Sequence, residues 1–211
     1  MRCTTLVRRV VQCGRPFATG VVAVAVVLTV DSIRIVCDFI TEAEEKTFLD
    51  EVAAPLRRLR YEQSHWDDAI HLYREIERTR WSPGASALLE RMRALAFVDV
   101  AHVMTHVHVL DLHPDGHIKP HIDSVRYCGR TIVGLSLLSD AVMRLRHKEK
   151  RELVVDLLLA RRSLYCLTGP SRFDFEHEVL KDGESYFDGR HVRRQRRISV
   201  MCRDLPGQQH H

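Results

Sequence analysis

The chain has 211 residues, which fits one domain with a short extension and suffices to bury a sizeable core. Its 45% hydrophobic and 28% charged residues are typical of a soluble globular protein, and its six cysteines include no Cys-x-x-Cys pair of the zinc-knuckle kind. The formal charge of +4 comes from four arginines in the first 30 residues, so the remaining 28 basic and 28 acidic residues cancel. A neutral body lacks the excess positive charge typical of nucleic-acid-binding proteins.

Residues 1–30 contain arginines and threonines but no acidic residue, which predicts a mitochondrial transit peptide or a disordered extension. The apolar run Gly20–Val30 is eleven residues long, against roughly 20 needed to cross a bilayer, so we predict no membrane span. A secretory signal is the alternative, but arginines that continue to Arg15 argue against it. The folded domain is expected over residues 31–211.

Residues 31–103 are predicted to form a helical entry region. Ile33–Phe39 has the pattern of a strand, and Thr41 with Glu44 forms a capping box that begins a helix running to about Arg60. A second helix is predicted over Pro83–Phe97, with proline in its first turn and apolar residues at helical spacing.

Between these helices, residues 61–82 are polar and aromatic with little strand alternation, which favours an irregular connection; the resemblance to a known family described below implies that this segment forms a reduced lid. Trp66 and Trp81 lie among arginines in this segment. Two interpretations remain: the aromatic side chains form a base-stacking platform, or the tryptophans plug the edge of a sheet.

Residues 104–206 contain short runs of β-branched and apolar residues with turns between them and no intervening helical pattern. Frequent short strands of this kind predict a sandwich or barrel, so the fold class is mainly β with flanking helices. About eight strands are expected, at Met104–Leu112, Ile118–Asp123, Thr131–Leu138, Ala141–His147, Leu153–Leu159, Ser163–Leu167, Glu176–Leu180 and Arg196–Arg203.

A metal site is predicted around His121 and Asp123. Pro120 favours an extended segment, in which residues two apart project from one face, so this imidazole and carboxylate can bind one ion. A facial triad needs a second histidine from a distant part of the chain, and His177 is the candidate. The alternative is a histidine paired with a carboxylate at a strand end.

Arg197 and Arg203 lie six residues apart in an apolar run, where arginine is costly to bury unless it meets an anion such as a carboxylate. The order His-x-Asp, distant His, Arg and second Arg resembles the Fe(II)/2-oxoglutarate dioxygenases, and more narrowly the AlkB family. The runs Val107–Leu112 and Gly134–Ser139 also resemble the mitochondrial branch of that family. The similarity extends over residues 36–206.

The resemblance implies a double-stranded β-helix (jelly-roll) core in which His121, Asp123 and His177 bind Fe(II). It implies 2-oxoglutarate and O2 as cosubstrates, with Arg197 binding the distal carboxylate of 2-oxoglutarate. Tyr165 is expected to donate a hydrogen bond to the same carboxylate, the alternative being a half-buried core tyrosine.

Three further residues are candidates for contact with the cosubstrate or substrate. Ser199 and Arg203 share the strand face of Arg197, and Arg203 is expected to support the pocket or meet the substrate. His108 and Leu110 stand where base-oxidising AlkB proteins typically have Asn and Tyr that contact the cosubstrate. His108 can still donate a hydrogen bond there.

Three functions are compatible with these features. The first is hydroxylation of a protein or small metabolite, favoured by the neutral charge and the reduced lid. The second is demethylation of N-methylated mitochondrial RNA, for which the arginine cluster at 190–197 offers a phosphate-binding patch, although such charge runs are more often solvated faces. The third is a low-turnover, metal-dependent regulatory binding protein.

The resemblance also implies the mitochondrial matrix and a part in mitochondrial energy metabolism and programmed necrosis. The sequence does not determine the oligomeric state. It contains no heptad repeat that would indicate a coiled-coil dimer, so a monomer is favoured.

Overall fold

The computed structural model describes residues 32–207, and the predicted transit peptide at 1–30 lies outside this range. No helix in the described part is long and apolar enough to cross a membrane. The three helices are α1 Glu42–Arg57, α2 Pro83–Ala96 and α3 Gly169–Phe173. The strands are β1 Ile33–Val36, β2 Glu62–Ser64, β3 Ile70–Arg78, β4 Val107–His121, β5 Ile132–Leu137, β6 Ala141–His147, β7 Val154–Leu159, β8 Leu164–Leu167, β9 Phe175–Val179, β10 Tyr186–Phe187, β11 Arg190–His191 and β12 Arg197–Arg203.

Ten of these strands form one antiparallel sheet that closes nearly into a barrel, in the order β1-β8-β5-β12-β4-β9-β6-β7, with β3 and β2 added beside β4. This arrangement confirms the predicted mainly β fold with a jelly-roll core. The prediction of separate strands at Met104–Leu112 and Ile118–Asp123 was wrong, because both belong to the 15-residue strand β4. The long strand pairs first with β12 and β3 and then, near its end, with β9.

The prediction of an irregular connection at residues 61–82 was also wrong, because this segment contains the hairpin of β2 and β3. The nine-residue β3 pairs along β4 from Arg78 to Ile70, with a register shift between His71 and Tyr73. Of the two tryptophans in this segment, Trp81 packs into the fold, with its ring edge-on against Phe48 of α1.

The main hydrophobic core lies between the sheet and the first two helices. Phe48 and Val52 of α1 and Leu89 of α2 pack against alternate residues of β5 and β12, including Val133 and Val200. The capping box predicted at the start of α1 is present, with hydrogen bonds in both directions between Thr41 and Glu44. The other face of β12 looks into the barrel and carries the polar residues Arg197, Ser199 and Arg203.

A buried carboxylate joins α1 to the sheet. Glu45 is only 1% exposed, and its Oε1 accepts from the backbone N–H of Leu138 at 2.8 Å. Its Oε2 accepts from Arg161 Nε at 2.8 Å and forms an ion pair with Nη2 at 2.7 Å. The helix face is therefore fixed to the turn after β5 by polar contacts as well as by packing.

We predict that Glu45→Ala lowers the free energy of unfolding by about 2 kcal/mol, because it leaves a buried N–H without an acceptor. Thermal and urea unfolding would measure the change. The exposed ion pair of Lys46 and Asp50 lies beside it on the same helix, so Lys46→Ala should change stability by less than about 0.5 kcal/mol. Equal effects of the two substitutions would contradict this account.

Candidate metal centre

The pairing of β4 with β9 brings two histidines together. His121 at the end of β4 lies directly opposite His177 of β9 in the antiparallel register, and directly opposite residues project from the same face of a sheet. Asp123 follows His121 by two residues. One ligand atom from each of the three side chains lies within 4.8 Å of the others, which is close enough to bind a single metal ion. The structure therefore brings together the triad that the sequence predicted.

The orientation of His121 suits a metal ligand. Its Nδ1 lies 2.9 Å from the carbonyl oxygen of Lys119, and because a carbonyl only accepts, Nδ1 carries the proton and donates it. Nε2 then faces Oδ1 of Asp123 at 3.4 Å, and Nε2 of His177 lies 3.5 Å from the same oxygen. A backbone contact that fixes the ring and tautomer of a ligand histidine is the usual second interaction at protein metal sites.

The protonation states of His177 and Asp123 favour metal binding, whereas at His121 burial is outweighed by the hydrogen bond to Asp123, which raises the pKa, so a metal there would replace a proton. Burial, reinforced by the charge of His121, lowers the pKa of His177 to about 3, so this imidazole is neutral at pH 7. Burial opposes ionisation of Asp123, but its hydrogen bond to His121 and the charge of Arg203 hold its pKa well below the usual range. A neutral imidazole and an ionised carboxylate are the forms that bind metals.

A chain of polar contacts runs away from Asp123. Arg203 donates from Nε to Oδ2 of Asp123 at 2.9 Å and from Nη1 to Nδ1 of His108 at 3.2 Å. Nε2 of His108 lies 2.8 Å from Oε2 of Glu75 on β3. Arg203 and His108 thus lie beside the triad, while Glu75 is a residue of this site that the sequence analysis missed.

Arg197 lies deeper in the barrel and is 2% exposed. Its Nε donates to the hydroxyl of Ser136 at 3.0 Å, but its buried Nη2 has no hydrogen-bond partner within residues 32–207. The buried phenol of Tyr165 lies beside the guanidinium, and burial raises the pKa of this phenol. A buried guanidinium whose contacts include no carboxylate fits a site that receives the carboxylate of a ligand.

Gly134 of β5 makes room for the tyrosine. It lies opposite Tyr165 of β8, and a Cβ at this glycine would come within 2.3 Å of the tyrosine ring. Ser199 lies on the same inward face of the sheet, opposite Ser136 of β5, and is fully buried. The sequence analysis missed Gly134, because only the strand register shows what faces it.

An open cavity of about 550 Å³ leads to the triad. Its floor includes His121 and Asp123, and two exposed aromatic side chains, Trp66 (86% exposed) and Tyr127 (67%), line it as well. The interpretation that both tryptophans plug the sheet is therefore wrong for Trp66. The charged and histidine side chains of the cavity wall, besides the floor, are His65, Asp67, Glu75, Glu77, His106, His108 and Arg203.

The arginine cluster at 190–197 is not one surface patch. Arg194 is buried, with Nη2 donating to the carbonyl of Gly116 at 3.4 Å. Arg196 donates twice to the fully buried carboxylate of Asp111, from Nε at 3.0 Å and from Nη2 at 2.9 Å. The last arginine of the cluster, Arg197, is buried in the barrel interior. The interpretation of the whole run as a solvated face was wrong for Arg194 and Arg197, which are buried and unavailable as a phosphate-binding patch, whereas the side chain of Arg196 is 42% exposed.

The family model of the 2OG-Fe(II) oxygenase superfamily matches residues 39–203. The chain belongs to this superfamily. It is therefore an enzyme of the 2OG-Fe(II) oxygenase type, whose members use Fe(II), 2-oxoglutarate and O2. The donor set of two histidines and one carboxylate, with a buried guanidinium deeper in the barrel whose Nη2 has no partner within residues 32–207, fits these groups.

Curated relatives place this oxygenase in the AlkB family. The chain is 52% identical over 168 residues to the mitochondrial α-ketoglutarate-dependent dioxygenase AlkB homologue 7 of Bos taurus, a match that covers 80% of this chain and 76% of the relative. The corresponding protein of Mus musculus matches with the same identity and coverage. The predicted AlkB resemblance is confirmed.

Solved structures support the fold of this oxygenase. A prolyl hydroxylase from Trichoplax adhaerens, in complex with a hypoxia inducible factor peptide fragment, superposes with a TM-score of 0.58 at 13% identity, covering 84% of each chain. The structure of OsALKBH1 gives 0.54 at 13% identity, covering 82% of this chain and 98% of the other. At these identities the likeness extends to the fold alone.

Proposed function

We propose that this oxygenase hydroxylates a protein or a small metabolite in mitochondria. A substrate C–H bond, 2-oxoglutarate and O2 would give the C–OH product, succinate and CO2. The observation that carries the proposal is the convergence of His121, Asp123 and His177, of which His121 and Asp123 line an open cavity. The cavity gives a substrate access to the metal from one side.

In this proposal the triad binds Fe(II) through Nε2 of both histidines and Oδ1 of Asp123. Two histidines and one carboxylate occupy one face of the metal and leave the other positions for 2-oxoglutarate and O2. When bound, Fe(II) supplies the redox chemistry that activates O2. The protein's part is to hold the ligands in their neutral or ionised binding forms and to orient both substrates.

The distal carboxylate of 2-oxoglutarate is proposed to bind Arg197. This guanidinium is buried, its Nη2 has no partner within the described residues, and a carboxylate is the anion that its planar fork fits best. The neighbouring phenol of Tyr165 is proposed to donate a second hydrogen bond. Ser199 on the same inward face remains a weaker candidate for cosubstrate contact.

The charge of the cavity supports a protein or metabolite substrate over RNA. Asp67, Glu75 and Glu77 line it, and its one lysine or arginine side chain, Arg203, is already paired with Asp123. Carboxylates around the opening repel a phosphate backbone, whereas nucleic-acid-binding surfaces are positively charged. The exposed ring of Trp66 offers apolar contact to a side chain or metabolite.

The location is proposed from two independent features. The curated relatives are named as mitochondrial proteins, and residues 1–30 are rich in arginine without any acidic residue. We propose the matrix as the compartment, because transit peptides of this composition direct import. The AlkB resemblance extends the proposal to mitochondrial energy metabolism and programmed necrosis.

We expect the full chain with Fe(II) and 2-oxoglutarate to form succinate when a mitochondrial protein or metabolite fraction is added, without stoichiometric formaldehyde. Mass spectrometry of succinate and formaldehyde from separated protein, metabolite and RNA fractions would measure this. Formaldehyde equal to succinate in the RNA fraction alone would instead establish RNA demethylation. Metal binding without succinate in any fraction would favour the regulatory binding protein.

Replacement of a triad ligand should abolish succinate formation, because two remaining ligands bind Fe(II) too weakly to retain it. Asp123→Ala and His177→Ala would be compared with His102→Ala, which removes an exposed histidine paired with Asp99 outside the cavity. We expect the control to keep wild-type activity. Succinate formation that survives in either ligand variant would contradict the proposed metal centre.

Gly134→Ala should weaken 2-oxoglutarate binding, because the new Cβ displaces the Tyr165 ring beside Arg197. A hydrogen bond to a charged group contributes on the order of 1.5–3 kcal/mol, so loss of the Tyr165 contact should raise KM roughly tenfold or more. Gly183→Ala is the matched control, since a Cβ there meets no atom within 4 Å. An unchanged KM in a folded Gly134→Ala protein would show that Tyr165 does not contact the cosubstrate.

A further inference from the structure

Glu75 begins a chain of contacts that ends on the carboxylate proposed to bind the metal. It lies on β3, opposite Leu110 of β4, and its Oε2 lies 2.8 Å from Nε2 of His108. Nδ1 of the same imidazole lies 3.2 Å from Nη1 of Arg203. Arg203 in turn donates from Nε to Oδ2 of Asp123 at 2.9 Å.

The chemistry of these groups allows only one arrangement of protons. A guanidinium has donors and no acceptor, so Nδ1 of His108 must present its lone pair to Arg203. The proton of the imidazole therefore sits on Nε2, where the carboxylate of Glu75 accepts it. An ionised acceptor gives a stronger hydrogen bond than a neutral one, so Glu75 favours this tautomer over its alternative.

We propose that Glu75 is a positioning residue for the metal centre. It holds His108 as the Nε2–H tautomer, His108 then accepts from Arg203, and Arg203 binds Oδ2 of Asp123. With Oδ2 engaged, Oδ1 is the oxygen that faces Nε2 of both triad histidines. The inference rests on the proposed metal centre and adds a residue that touches neither the metal ligands nor the cosubstrate anchor.

Loss of Glu75 would act through the imidazole. His108 could then carry its proton on Nδ1, which would set an N–H against the N–H groups of Arg203 and drive the guanidinium from its place. Asp123 would lose the contact that fixes its rotation. Groups that hydrogen-bond to metal ligands typically contribute 10–100-fold to metal affinity, and Glu75 holds such a group, Arg203, through His108, so the expected effect is large enough to measure.

The test uses the full chain with two readouts besides activity. Nitrogen-15 NMR of labelled histidine reports the tautomer of His108, whose signals are assigned from their loss in His108→Asn. Titration with Co(II), followed by its visible absorption, reports metal affinity without turnover. In Glu75→Leu we expect His108 to lose the pure Nε2–H state and Co(II) affinity to fall roughly tenfold or more.

Glu77 provides the matched control. It lies two residues along β3, lines the same cavity, and its carboxylate makes no hydrogen bond or ion pair within residues 32–207. Glu77→Leu removes the same charge from the same cavity, so it should leave the His108 tautomer and the Co(II) affinity unchanged. Glu75→Gln keeps an acceptor at the same place and should restore most of the loss.

A double variant distinguishes a positioning role of Glu75 from a general disturbance of the protein's structure. The amide of Asn in His108→Asn can accept from Arg203 without any choice of tautomer, so Glu75→Leu should cost at most about threefold in that background, well below its effect alone. Equal losses in both backgrounds, or a wild-type tautomer in Glu75→Leu, would overturn the proposal. If the wild-type protein bound no Co(II), the proposed metal centre would be wrong. The NMR measurement of the His108 tautomer would still test whether Glu75 positions His108.

Discussion

The site depends on the register of a single strand. β4 pairs with β12 over residues 108–112 and with β9 at its far end, so one strand belongs to both halves of the barrel. The first pairing places His108 opposite Met201, next to the inward arginines of β12, and the second places His121 opposite His177. Because side chains alternate in a strand, a shift of one residue in either pairing would move one half of the site to the wrong face.

The two arginines of the barrel interior lie in different environments. Arg203 is neutralised by Asp123 and also meets His108, so its charge is used within the protein to orient a neighbouring carboxylate. Arg197 meets a hydroxyl and a phenol, but among residues 32–207 its Nη2 has no partner and its buried charge has no counter-ion. Such a charge is costly in the free enzyme, so a bound carboxylate would recover the most energy at Arg197.

Local sequence patterns predicted the features that local physics determines. The capping box of Thr41 and Glu44 requires only a short-range exchange of hydrogen bonds, and the two-residue spacing of His121 and Asp123 was enough to predict that both bind one ion, although β4 ends at His121. Strand β3 was missed because its inward residues include carboxylates that face a cavity, which removes the apolar alternation expected of a strand. The same cause hid Glu75, whose partner lies 33 positions away in the sequence.

The arginine cluster shows why a run of like charges is a poor guide to a binding surface. Three neighbours in sequence meet three separate environments: Arg194 a backbone carbonyl, Arg196 the buried Asp111, and Arg197 the barrel interior. Alternation along the chain into β12 separates the last two, since consecutive residues of an extended segment point to opposite sides. The buried guanidinium groups of Arg194 and Arg197 cannot contact a phosphate backbone, while the carboxylates that reach the cavity repel one. The electrostatics of the opening, rather than the composition of the segment, therefore determine which substrates approach the metal.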